Sequence, residues 1–413
     1  MTADPSRRVA LGTAVVGGLA FVVLAAWLVP WDPVPGGSLS PVPADSVFTR
    51  AQIDRAEGYS QWARVWSWSA LAVSLAVALW LAFSRRGRAF FARLPGPWWV
   101  QVVLAVAVVE LVGRLATLPL AVAGRKHSLD NGLSAGSWGD YALDVVKSEL
   151  VTIVMTSLAL LVLIGCARRW RRAWPAVTGA LLGALVLVGS FVYPVLVEPL
   201  FNDFEPLPDG RLRSDILALA DEEGVHVDDV LVSDASRRTT TLNAYVSGFG
   251  STRRVVVYDN LVESLPEDQA LSVVAHELAH ARHDDVVIGS VLGAAGAVLG
   301  VGLLGLALAA LRRRGLPGAA EPAVVPVVLG LVAVAALLTS PVQNGISRTI
   351  ETRADVDALR ATDDAAAFVD LQRRLALRSL ADPTPPAVSQ FWFGSHPTAL
   401  TRMALAERVL RDQ

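Results

Sequence analysis

Two histidines four residues apart bracket a glutamate in His276-Glu277-Leu278-Ala279-His280. On a helix, residues i and i+4 share a face, so both imidazoles can reach one ion while Glu277 projects beside its open position. A catalytic zinc needs three protein ligands and a water. The ion lowers the pKa of that water from about 15.7 toward about 7, and a carboxylate alongside accepts its proton. The competing reading is a surface helix with two ordinary histidines. Against it, the chain holds six histidines in all, and this pair lies among Val273, Val274, Ala275, Leu278 and Ala279, where unliganded imidazoles are costly to bury. Cys166 is the single cysteine, which excludes an internal disulfide and a cysteine-type zinc site. Any metal must be held by histidine and carboxylate.

A third ligand is expected from another helix. Arg348, Glu351 and Asp355 recur at i, i+3 and i+7, one face of a helix. Glu351 suits the ligand. Asp355, one turn later, suits the acceptor for a ligand's ring N–H, which would fix the imidazole tautomer. Alone, these charges would read as an exposed, salt-bridged helix. Beside the first motif they read as the rest of the site.

The elements that must hold these residues are mostly apolar. Of 413 residues, 53% are hydrophobic and 18% charged, and the mean hydropathy is +0.47. A soluble enzyme would carry nearer ~25% charge. A net charge of −2 gives no basic field for nucleic acid. A membrane helix needs about 20 apolar residues, and seven segments qualify, at 9–29, 66–83, 98–122, 151–167, 173–197, 286–311 and 323–338. The first is expected to be an uncleaved anchor, too long for a signal peptide.

Arg85, Arg86, Arg88 and Arg93 follow the second segment, Arg168, Arg169, Arg171 and Arg172 the fourth, and Arg312, Arg313 and Arg314 the sixth. The first and third loops are mixed or acidic. By the positive-inside rule the N-terminus is cytoplasmic and the C-terminus outside.

Two polar regions remain. The first predicts a helix over 213–223, strands at 229–233, 244–247 and 254–258, and then a capping box in Ser264-Leu265-Pro266-Glu267. The helix so opened shows no clear stop before Arg312, so it is expected to run into the sixth span. The expected division is a five-span region at 1–197 with a proline-rich first loop, an α/β catalytic domain at 198–285, two further spans at 286–342, and a C-terminal helical segment at 343–413 that completes the site.

In order along the chain stand Pro199-Leu200-Phe201-Asn202, Asn243-Ala244-Tyr245, Val257-Tyr258-Asp259, the zinc helix, Glu351-x-x-x-Asp355 and Ser395-His396-Pro397. This set resembles the type I CAAX prenyl endoproteases, integral-membrane zinc metallopeptidases of the gluzincin kind. The resemblance covers about half the chain, and the seven spans agree with it.

It implies an α-helical membrane protein whose seven transmembrane helices form a chamber, with an inserted α/β metalloprotease domain. It implies one Zn2+ per chain on His276, His280 and Glu351, with Glu277 as general base and Asp355 behind the ligands. His396 and Arg402 match the family's pair near the scissile carbonyl, where a donor or cation steadies the oxyanion. Asn243, Ala244 and Tyr245 match the edge that takes substrate as an added β-strand. Ala279 stands where the family usually has glycine.

The implied substrate is a peptide or protein, with a C-terminal lipid left open, in a protein embedded in the cell membrane. The family's eukaryotic members are expected to face the cytosol, whereas the arginines here place the site outside. A quality-control protease with no lipid requirement is the alternative. A transporter or scaffold with structural zinc is a weaker one, since no paired broken helices or repeat appear.

Three smaller features complete the reading. Glu110 and Arg114, four apart inside the third span, could neutralise each other or serve a function. His283 is a cap or solvent residue in preference to a spare ligand. Gly289, Gly293, Gly296 and Gly300 resemble a small-residue packing stripe.

Overall fold

The structure, a computed structural model, describes residues 5–248, 250 and 253–411. Its helices in chain order are α1 (Pro5–Leu28), the single turn α2 (Ala44–Val47), α3 (Arg50–Phe83), α4 (Arg85–Phe91), α5 (Trp98–Asp130), α6 (Trp138–Arg169), α7 (Trp174–Leu196), α8 (Arg211–Glu222), α9 (Asp259–Ser264), α10 (Glu267–Arg282), α11 (Asp285–Arg312), α12 (Val325–Thr362), α13 (Ala365–Ser379), α14 (Ala387–Phe393) and α15 (Ala399–Arg411). Among the described residues seven of them, α1, α3, α5, α6, α7, α11 and α12, are long and apolar enough to cross a membrane.

Several run well past the apolar segments. The 38 residues of α12 make a rod of about 57 Å, against a hydrocarbon core of about 30 Å. Its apolar start therefore spans, and its far half carries Glu351 and Asp355 clear of the bilayer. The 34-residue α3 does the same at its N-terminal end, begun by a capping box between Thr49 and Gln52.

The spans form a ring. Helix α12 packs on α3, α3 on α5, α5 on α6, α6 on α7, and α7 on α11, with α1 against α7 and α11. Only 6–33% of each apolar window is buried, because one face looks to lipid and another into a hollow. The ring is plugged at one end by a core that includes Leu81, Phe91, Val102, Leu163, Trp174 and Val324. That is the arginine-bearing end. Arg168 lies 5.4 Å from the Trp98 ring and donates to the Ala320 carbonyl. The chamber is thus closed at the arginine end and capped at the other by the polar domains.

A four-stranded sheet of order β1-β2-β4-β3 stands there, built from β1 (Phe204–Pro206), β2 (Asp229–Ser233), β3 (Ala244–Ser247) and β4 (Arg254–Tyr258). Strands β2 and β4 pair parallel with Asp229 opposite Arg254. Strand β3 pairs antiparallel with β4, Ala244 opposite Val257, and forms one edge. Val274, Ala275 and Leu278 of α10 share a core with Ala244, Val255 and Val257 of the sheet. Seating α10 through those positions turns His276 and His280 away from the sheet, toward α12.

Several expectations need correction. No capping box opens α10, because α9 intervenes and the Ser264 hydroxyl bonds back to the Asn260 carbonyl. The zinc helix does not continue into the sixth span. Asp284 adopts a left-handed conformation, φ 53°, and separates α10 from α11. Arg114 pairs with Glu149 of α6 at 2.8 Å, not with Glu110. Of the expected glycine stripe only Gly293 meets a neighbour, Val186 of α7 at 3.3 Å from a built Cβ, and the tightest contacts between spans are instead at Gly17 and Gly302 at the α1–α11 crossing. A Cβ at Gly302 would lie 2.3 Å from the Ala14 backbone nitrogen, whereas Gly289, Gly296 and Gly300 face open space. The proline-rich first loop is ordered against the C-terminal helices, with Val34 and Leu39 packed on Phe368 and Leu405.

Candidate metal centre and active site

Helix α10 presents His276 and His280 with their rings edge to face, 4.8 Å between centroids. The two Nε2 atoms lie 3.2 Å apart. From α12, Glu351 brings Oε2 to 3.2 Å from His276 Nε2 and Oε1 to 3.8 Å from His280 Nε2. These three residues form the potential metal cluster among the described residues.

The outward nitrogens are also committed. His276 Nδ1 faces Asp355 Oδ1 at 2.9 Å, and His280 Nδ1 faces Asp285 Oδ2 at 2.9 Å. His280 Nδ1 is hydrogen-bonded to its carboxylate, whereas His276 Nδ1 is close to Asp355 but out of hydrogen-bond alignment. With Nε2 of both rings deprotonated, their lone pairs would point at one another and at Glu351, whose Oε2 is buried without a partner. Such a set repels itself unless a proton or a metal ion joins it. Tetrahedral zinc with ligands at about 2.0–2.1 Å sets neighbouring ligand atoms about 3.3 Å apart, close to the spacings found here. The donor set fits the ion.

Behind the ligands, Asp355 is fully buried and accepts from Arg402 Nε at 2.8 Å and Nη2 at 2.5 Å. Burial works against charge on His276, but the Asp355 and Glu351 carboxylates outweigh it and hold its pKa up at about 10. Burial raises the pKa of Glu277, with His276 and His280 pulling the other way. The Glu277 carboxylate has no hydrogen-bond partner among the described residues and is free to handle a proton.

His396 sits on the loop between α14 and α15, half-exposed, with Nε2 3.4 Å from Glu351 Oε2 and Nδ1 2.9 Å from the Ser395 hydroxyl. Burial lowers its pKa. The loop is fixed from α12: Arg348 donates to the Gln390 and Gly394 carbonyls, and Gln390 Nε2 donates to the His396 carbonyl at 2.8 Å.

Asn243 precedes the edge strand. Its carbonyl accepts from Tyr258 N–H at 3.0 Å, while its side chain is exposed. Ala244 is buried in the core shared with α10. Tyr245 points to the opposite face, where burial and the nearby Glu198 carboxylate raise its pKa. Pro199-Leu200-Phe201-Asn202 ties this domain to the membrane helices, because Arg238 donates to Asn202 Oδ1 at 2.7 Å and to Asp144 of α6 at 2.6 Å.

Sequence reasoning missed Asp285, Arg353 and Asp357. Asp285 meets both His280 and Arg353, and His283 Nε2 lies 2.7 Å from Asp357 Oδ2. Five residues apart on a continuous helix, Asp285 could not have reached the His280 ring. The break at Asp284 brings it back, and no motif announces that break.

Residues 206–409 match peptidase family M48. A metalloprotease of Bacillus subtilis, YhfN, described as uncharacterized, is 32% identical over 320 residues, covering 75% of this chain and 74% of YhfN. The chain belongs to peptidase family M48. CAAX prenyl protease 1 of Saccharomyces cerevisiae is 38% identical over 102 residues, 24% of this chain and 22% of that protein. The human CAAX prenyl protease 1 homolog is 33% identical over 162 residues, 36% and 33% of the two chains. In fold, the M48 chain superposes on the crystal structure of S. mikatae Ste24p with a TM-score of 0.79 at 18% identity, covering 98% of this chain and all of that one. The CAAX prenyl endoprotease resemblance read from the motifs therefore holds, as does the helical membrane chamber with its inserted protease domain. The M48 chain is a multi-pass membrane zinc metalloprotease, a hydrolase acting on peptides or proteins.

Proposed function

We propose that this chain, with His276, His280 and Glu351 holding one Zn2+, hydrolyses extended polypeptide segments delivered on the extracytoplasmic side of the cell membrane. The convergence of two Nε2 atoms and one buried carboxylate at tetrahedral spacing carries the catalytic half of this reading.

When bound there, zinc supplies Lewis acidity toward the scissile carbonyl and lowers the pKa of a water. Glu277 takes a proton from the attacking water oxygen as that oxygen bonds to the carbonyl carbon. When the C–N bond breaks, Glu277 returns the proton to the departing nitrogen. His396 donates to the carbonyl oxygen as charge develops there, and the Arg402 charge, fixed by Asp355, adds to the same field. Asp355 holds the His276 tautomer.

The free edge of β3, from Asn243 through Tyr245, offers unpaired backbone groups to a substrate strand. Main-chain pairing asks for an extended segment and little for its side chains, which favours broad specificity over a strict lipid requirement. Comparing cleavage of a C-terminally prenylated peptide with its bare counterpart tests this. Comparable kcat/KM is expected, and cleavage confined to the lipidated peptide overturns it.

The gathering of the arginine clusters at the plugged end, opposite the site, supports an extracytoplasmic placement. Cys166 is buried and leaves a clean background for labelling. Asp209→Cys in the catalytic domain should react with a membrane-impermeant maleimide on intact cells, and Arg313→Cys only after permeabilisation. The reverse pattern would place the site in the cytosol.

A further inference from the structure

We infer that Asp285 is a positioning residue for the metal centre, held by Arg353, and that through it the first turn of the sixth span sets the orientation of His280. The inference rests on the zinc reading above and goes beyond it.

The geometry carries the argument. His280 Nδ1 and Asp285 Oδ2 are 2.9 Å apart, so Nδ1 carries the proton and Nε2 keeps its lone pair for the ion. The other oxygen, Asp285 Oδ1, receives Arg353 Nη2. The Asp285 and Arg353 side chains are only 9% and 16% exposed, so this pair is a built contact and not a surface ion pair. Arg353 lies on α12 between the ligand Glu351 and Asp355, which holds His276. Each histidine ligand thus has its own carboxylate, and each carboxylate its own arginine: Asp355 with Arg402 behind His276, Asp285 with Arg353 behind His280.

The second arm depends on the helix break. Asp284 in the left-handed region ends α10 and starts α11 at Asp285. His283 Nε2 contacts Asp357 Oδ2 at 2.7 Å, which pins the same elbow to α12. A tilt of α11 would move Asp285, and with it the ring plane of His280.

The test is zinc affinity of the detergent-purified chain, measured by competition with a chromophoric chelator. Removing a partner of this kind weakens metal binding by about 10–100-fold. Asp285→Ala should do so. Asp285→Asn, which keeps an acceptor oxygen but loses the charge facing Arg353, should fall between it and wild type. Co2+ substituted for zinc should show an altered visible spectrum in both variants, a change a merely structural role would not give. At saturating zinc much of the lost activity should return. Equal zinc affinity and identical Co2+ spectra in wild type and variants would overturn the inference. If Asp285→Ala does not fold, Asp285→Asn decides by the same readings. A wild-type chain that binds no zinc would instead refute the zinc reading itself.

Discussion

The Asp355–Arg402 pair offers a quantitative test of how the centre is held. Asp355 is fully buried, its two oxygens accept from Arg402 at 2.8 and 2.5 Å, and one of them also faces His276 at 2.9 Å. Asp355→Ala leaves a guanidinium with 15% exposure without its counter-charge and frees the His276 ring. Breaking a buried pair by removing one partner costs about 3–5 kcal/mol, whereas replacing both partners by apolar groups of similar volume is often close to neutral. Against a total stability of about 5–15 kcal/mol, the single variant loses a large share and the double variant Asp355→Leu/Arg402→Met loses little. Zinc affinity should respond differently, falling in both, because both lack the acceptor behind His276. The assays are thermal unfolding of metal-free protein in detergent, followed by tryptophan fluorescence, and zinc competition at neutral pH. A double variant as unstable as the single one would refute the pair reasoning. Wild-type zinc affinity in either would refute the role of Asp355 behind His276.

Three further outcomes follow from the same geometry. With His276 held at about 10 in the metal-free site, zinc must displace a proton there, so zinc affinity should rise by about tenfold per pH unit across the neutral range. The folded-state pKa is raised, so the pair's contribution to metal-free stability is full below about pH 6.5 and lost as pH rises through about 10; calorimetry in buffers of different ionisation enthalpy reads the released proton. Gly302→Val should destabilise the protein by about 1–3 kcal/mol, because the α1–α11 crossing has no room for a Cβ. Specific activity per folded molecule should be kept, and unchanged thermal stability would show that α1 is not held there. Substrates N-methylated at backbone positions along the β3 edge should lose about 0.5–1.5 kcal/mol per missing hydrogen bond, seen as a rise in KM; cleavage as good as that of the parent peptide would dismiss strand addition.

The convergence of His276, His280 and Glu351 was legible in sequence because helical periodicity is short-range physics. His276 and His280 at i, i+4 must share a face, and Glu351 and Asp355 do so on α12. The strands at 229–233, 244–247 and 254–258 also matched, since valine-rich runs bounded by turn residues have few other uses. The seven spans were legible from apolar length alone. What escaped depends on contacts between distant elements or on single backbone angles. The left-handed Asp284 breaks a helix that periodicity would continue, and only that break brings Asp285 to His280. Arg114 chose Glu149, 35 residues away, over Glu110 on its own helix, because the α5–α6 contact is where the charge meets a buried partner. The short β1 offers three residues, one of them proline, too little for any pattern.

The central claim is that one zinc at His276, His280 and Glu351 works with Glu277 as the base. Metal content and peptide cleavage measured together, on detergent-purified wild type beside Glu277→Gln, test it most directly. One zinc per chain in both proteins, with cleavage in wild type reduced by about 10²-fold or more in the variant, is the predicted result. A wild-type chain without stoichiometric zinc, or a variant that cleaves as well as wild type, would contradict it.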